Sequence, residues 1–138
     1  MQLIQKQLTQ ATSAEAVLQL CAEYVGAFDH IHAATALNRV GQFCVAESAR
    51  RALRADVRLA AMLDALQQRV VKLNAQGVAN CLWGLARLAP EFEAPPALLA
   101  ALHAAAGKPS LWMDAAPQAI ANAAWALVRL SPQGEPSR

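Results

Sequence analysis

Apolar residues recur at three- and four-residue spacings along almost the whole chain, and the pattern breaks at Gly, Pro and small polar clusters. The spacing predicts a short helix over 3–9. Thr12, followed three positions later by Glu15, has the form of a capping box that starts a second helix ending near Gly26. Asp29 is positioned to cap a third helix over 30–43. Residues 47–73 read as one long stretch that bends near Asp56, with Ala49, Leu53, Val57, Ala60 and Leu63 on one side. Asn74 is suited to cap a helix over 76–88 that Pro90 ends. Pro95 and Pro96 open a helix running to Gly107, its C-cap, and Asp114 with Pro117 opens a last helix to Leu130. The final SPQGEPSR reads as a frayed tail.

Within this pattern the chain repeats itself. Residues 76–88, QGVANCLWGLARL, match residues 118–130, QAIANAAWALVRL, at seven of 13 positions with a shift of 42. About one identity would be expected by chance in such a window, so the match marks a repeat. Val78 against Ile120 is conservative, and Pro90 against Pro132 keeps the register. Residues 31–40, IHAATALNRV, follow more weakly at a shift of 48, which sets Arg39 against Arg87. A period near 40 residues holding two helices is the size of a helical-hairpin unit that buries its apolar face only by stacking on neighbours. The expected fold is all-α, a right-handed α-solenoid of about three helical-hairpin repeats. Its expected parts are an N-terminal helical cap (1–27), a degenerate repeat (28–55), two full repeats (56–90 and 91–131) and a flexible tail (132–138).

The segments NAQGVANCLWGLARL and APQAIANAAWALVRL resemble the PQ-x-[LIV]-AN-x-x-WALA-[KR]-L core of octotricopeptide repeats. SAEAVLQL and HIHAATALNRVGQF are similar to the segment that often precedes such arrays. The resemblance implies an RNA-binding α-solenoid of a mitochondrion or chloroplast that acts in organelle gene expression. Two roles fit it: a factor for transcript stability, processing or translation, and an rRNA-binding subunit of an organellar ribosome or other large ribonucleoprotein complex. The alternative is a HEAT-like scaffold that binds protein and no RNA.

Asn80, Trp83 and Arg87 fall at i, i+3 and i+7 on one stripe, and Asn122, Trp125 and Arg129 repeat it. Arg meets phosphate, and amides or rings meet bases, wherever unpaired RNA is held. For the two Trp side chains packing between repeats is favoured, for the two Asn packing and RNA contact stand level, and Arg87 and Arg129 point to RNA, with Arg39 as their partner in the weak copy. Arg50, Arg51, Arg54 and Arg58 form a second basic feature. There, 51, 54 and 58 share one face of the helix, and guanidinium groups suit phosphate. A solvated face pairing with Glu47 and Asp56 explains the same run.

Composition narrows the picture. Of 138 residues 56% are hydrophobic, 16% are charged and 33 are alanine, a balance that favours a packed helical fold over a sheet or a disordered chain. The formal charge is +2, too small to identify a nucleic-acid binder, so the case for RNA rests on where the charges sit. Cys21, Cys44 and Cys81 form no CxxC pair, and His30 and His32 project to different sides of one helix. Neither a metal site nor a disulfide framework is expected. No Gly-rich phosphate loop, nucleophile elbow or HExxH occurs, so no enzyme, cofactor or small-molecule substrate is expected. No apolar run reaches the ~18 residues that span a bilayer, and no targeting segment is visible.

Overall fold

The computed structural model describes residues 2–131, and among these no strand occurs. The chain is all-α. Its helices are α1 (Gln2–Gln10), α2 (Ala14–Tyr24), α3 (His30–Phe43), α4 (Glu47–Ala52), α5 (Val57–Gln67), α6 (Ala75–Leu88), α7 (Pro96–Ala106) and α8 (Pro117–Leu130). The expected tail, 132–138, lies outside the described residues. No described helix is long and apolar enough to cross a membrane.

Local chemistry sets the helix starts. Ser13, and not Thr12, caps α2 by accepting from the Ala16 amide at 3.0 Å. Asp29 caps α3 in a reciprocal box: its carboxylate accepts from the His32 amide at 2.8 Å, and His32 Nδ1 accepts from the Asp29 amide at 3.0 Å. Asn74 caps α6 through the Gly77 amide at 2.9 Å. Asp114 does not cap α8; Ala116 precedes it and Pro117 takes its first position without any side-chain cap. The stretch 47–73 is two helices rather than one bent helix. Its first part tightens into a 3₁₀ turn at Leu53–Ala55, and Asp56 then turns extended and caps α5 through the amides of Arg58 and Leu59.

The helices lie in two rows. α1 packs on α3, α3 on α6 and α6 on α8, while α2 packs on α5 and α5 on α7. Between the rows sits the core, with Leu37, Leu59, Met62, Leu66, Leu82, Leu85, Leu98 and Leu102 almost wholly buried. α3 and α6 approach closely where they cross. A Cβ on Gly41 would stand 2.7 Å from the Gly84 Cα, and one on Gly84 would stand 2.7 Å from the Leu37 carbonyl oxygen. Only glycine permits that contact.

α3, α6 and α8 are each 14 residues long, and their caps, Asp29, Asn74 and Ala116, stand 45 and 42 residues apart. The second spacing matches the sequence repeat. The first corrects the weak copy by one turn, from 48 to 45. In the corrected register Gln42, not Arg39, stands against Arg87, and Thr35 stands against Asn80.

Candidate nucleic-acid interface

At 100° per residue, Gln76, Asn80, Trp83 and Arg87 fall on one side of α6, and Gln118, Asn122, Trp125 and Arg129 on the same side of α8. This side is the outer face of the α1–α3–α6–α8 row. Gln76, Arg87, Gln118 and Arg129 are exposed there, and Asn80, Asn122 and Trp83 are half-buried. The two copies are geometrically alike. Gln76 donates to Asn80 at 3.0 Å and Gln118 to Asn122 at 3.0 Å. Arg87 lies 5.4 Å over the Trp83 ring and Arg129 5.8 Å over the Trp125 ring.

The tryptophans, expected from the sequence to pack between repeats, are only partly covered. Trp83 is half-buried and Trp125 is 45% exposed, because both stand on the outer side of their helix. Where α3 meets α6, Gly41 and Gly84 stand against each other. Asn80 and Asn122 bond within their own helices rather than to a neighbouring backbone.

The predicted arginines separate into two groups. Arg39 is half-buried and turned towards α1, where Nη2 donates to the Thr9 and Ala11 carbonyls while the guanidinium lies 4.8 Å over Phe43. Arg58 is held by two carboxylates, Asp56 at 2.8 Å and Glu15 at 2.8 Å, and ties α2 to the start of α5. Because the chain breaks helix at 53–56, Arg58 does not share a helical face with Arg51 and Arg54. The Arg58 hydrogen bonds hold the Asp56 and Glu15 carboxyls below the usual range. These two arginines are structural ties.

The others gather at the C-terminal ends of α3 and α6. Val45, Arg50, Arg87, Trp125 and Arg129 line a cleft of about 280 Å³. Arg50 pairs with Glu91 at 2.7 Å and donates to the Val45 carbonyl at 2.6 Å, so it closes the end of α3. Arg129 closes the end of α6 in the same way, donating to the Ala86 and Ala89 carbonyls at 2.7 and 3.1 Å. Both cations meet the negative end of a helix. Arg87 has no hydrogen-bond or carboxylate partner among the described residues. Arg54 donates to the Glu91 carbonyl at 2.6 Å beside this cleft, and Arg51 forms an exposed pair with Glu47. The cleft thus brings three guanidinium groups against one carboxylate, with an exposed indole on its wall.

Charge is distributed unevenly between the rows. α1, α3, α6 and α8 contain no Asp or Glu and carry Lys6, Arg39, Arg87 and Arg129. The acids Glu15, Glu23 and Asp64 lie in the other row, and the remaining described ones lie in α4, caps and loops. A second cleft, of about 230 Å³, opens between the N-terminal halves of α3 and α6, lined among others by His30, Thr35, Lys72, Gln76 and Asn80. Gln76 and Gln118 are not candidate site residues by residue type alone; their recurrence at the 42-residue shift is the signal that marks them.

Among the described residues no group of three His, Cys, Asp or Glu could hold a metal ion. Burial pushes the Cys21 thiol up to about 12 and raises those of Cys44 and Cys81, so all three are protonated at neutral pH. The chain matches no family model, no curated protein and no solved structure.

Proposed function

We propose that this chain is a non-enzymatic, RNA-binding α-solenoid of octotricopeptide-repeat type, in which α5–α6 and α7–α8 are full repeats and α2–α3, aligned with them in the two rows, a degenerate one. The observation that carries the reading is the acid-free row α1–α3–α6–α8, whose outer face presents two copies of the same Gln–Asn–Trp–Arg set. A phosphate chain laid on that face meets helices without acidic residues, the Glu91 carboxylate at the cleft being already paired with Arg50, and rings and amides stand beside it for unpaired bases. The Arg50–Arg87–Arg129 cleft is the strongest point of the face, and Arg87, which has no partner to give up, is its leading phosphate ligand. The resemblance further suggests a mitochondrion or chloroplast as the setting, with a transcript or rRNA as the target. A helical scaffold without RNA is the alternative.

A labelled single-stranded oligouridylate tests the reading by fluorescence anisotropy across a salt series. Arg87→Gln should weaken binding and flatten the log Kd against log salt slope by up to about 0.7, the single-strand value per phosphate. Equal affinity and equal slope in wild type and variant would remove Arg87 from the interface. Absence of salt-dependent binding by the wild type would favour the scaffold.

A further inference from the structure

The two ends of the helical rows are chemically different. α1 closes one end with Lys6, Thr9 and Gln10 exposed around Leu3, a mainly polar outer surface. α8 closes the other end with Pro117, Ala121, Ala124 and Val128 exposed, Val128 at 76%. Each of these four is the 42-residue equivalent of a residue on α6: Ala75, Ala79, Leu82 and Ala86. All four on α6 are buried. They lie on the side opposite Gly84, which faces α3, and so on the side that α8 covers. α8 therefore carries, uncovered, the surface by which a helix of this chain receives the next helix.

We propose that this face joins two copies of the chain, α8 against α8 and antiparallel, about a two-fold axis normal to the row. Three observations favour a second copy. The face carries no charge, so a copy turned onto it meets no like charge. Its centre is the pair Ala121 and Ala124, small enough for two helices to approach closely, as α3 and α6 do at their glycines. An antiparallel arrangement also brings Arg129 of one copy to the start of the other copy's α8, where the exposed Asp114 stands. Beside α8, α7 exposes Ala97, Ala100 and Ala104, which widens the apolar end beyond a single helix. An axis of this direction keeps both acid-free faces on one side, so the row α3–α6–α8 continues into that of the second copy. The proposal stands independently of RNA binding and doubles the face if that reading holds.

The test is sedimentation of the purified chain without RNA from about 1 to 200 μM, the range in which a small interface associates. The wild type should shift from monomer to dimer, and Ala124→Glu should stay monomeric with an unchanged helical circular dichroism spectrum. Ala124→Cys provides a second readout, because Cys21, Cys44 and Cys81 are buried and the new thiol is the exposed one. Mild oxidation should convert it to a covalent dimer. A wild type that remains monomeric overturns the proposal and leaves the face to a different protein. A dimer that survives in Ala124→Glu, or a Cys variant that does not crosslink at dimeric concentrations, places the contact elsewhere and overturns it too.

Discussion

Replacing Gly84 by alanine should destabilise the protein, although alanine is the better helix former. In an open helix the exchange is favourable by about 1 kcal/mol. Here the new methyl would stand 2.7 Å from the Leu37 carbonyl oxygen and 3.1 Å from its carbon, whereas ordinary contact begins near 3.4 Å. The obstacle is backbone, which cannot rotate aside as a side chain does, so α3 and α6 must separate by roughly 0.7 Å where they cross. Overpacking of this kind costs about 1 to 3 kcal/mol, and a rigid obstacle lies at the upper end. After subtracting the helical gain, the net loss is about 1 to 2 kcal/mol. For a chain of this size that corresponds to a fall in Tm of roughly 4 to 8 °C. Thermal melts followed by circular dichroism measure it, with Gly26→Ala as the control, since a Cβ there meets nothing within 4 Å. Gly41→Ala should behave like Gly84→Ala, and the double variant should lose less than the two losses added together, because both methyls open the same crossing. A Gly84→Ala protein that melts at or above the wild-type temperature would refute the argument, and with it the claim that glycine sets the spacing of the row.

Two further outcomes follow from the site. The Asp56 and Glu15 carboxyls are held low by Arg58, so the stability they contribute is complete at neutral pH and is lost as pH falls below roughly 4. Melts of the wild type and Arg58→Gln at pH 7, 5 and 3 should converge at the acid end, and parallel curves would refute the pairing. Because Trp83 and Trp125 lie on the outer face, Trp125→Ala should cost little stability, on the order of 1 kcal/mol, yet lower RNA affinity by the ~1 to 3 kcal/mol of a stacked base. A large fall in Tm with unchanged affinity would return the ring to a packing role.

The sequence disclosed those features that local chemistry fixes. Asp29 and Asn74 announce the starts of α3 and α6 because a short acceptor before an apolar stripe can satisfy an otherwise orphaned amide. The paired AN-x-x-W segments announce the repeat because equal helices must present equal faces. What stayed hidden depends on contacts between distant residues. Asp56 looked like a bend because its capping geometry is written in φ and ψ, and one side chain cannot show whether a helix continues through it. The tryptophans were read as packing residues because size and spacing suit a core. In the structure the rings are instead partly exposed on the outer face, each with an arginine over it. The acid-free row is hidden in the overall composition: the net charge of +2 averages two rows of opposite character, and only a count taken helix by helix separates them.

The arginines show why residue type alone could not assign the interface. A guanidinium offers five donors, and a helix C-terminus offers carbonyls without partners, so the same side chain suits a helix end and a phosphate equally well. In α8 the repeat's arginine takes the helix end: Arg129 binds the Ala86 and Ala89 carbonyls of α6. The corresponding place at the end of α3 would fall to Arg87, yet Arg50 already occupies it through the Cys44 and Val45 carbonyls, anchored by Glu91. Arg87 is displaced from the structural task that its repeat partner performs and is left over the Trp83 ring on the outer face. Two arginines at one repeat position thus hold different work, and the difference is set by a residue 37 positions earlier in the chain. Phosphate competes with backbone carbonyls at Arg129 and with none at Arg87, which is why the outer face is expected to depend most on Arg87.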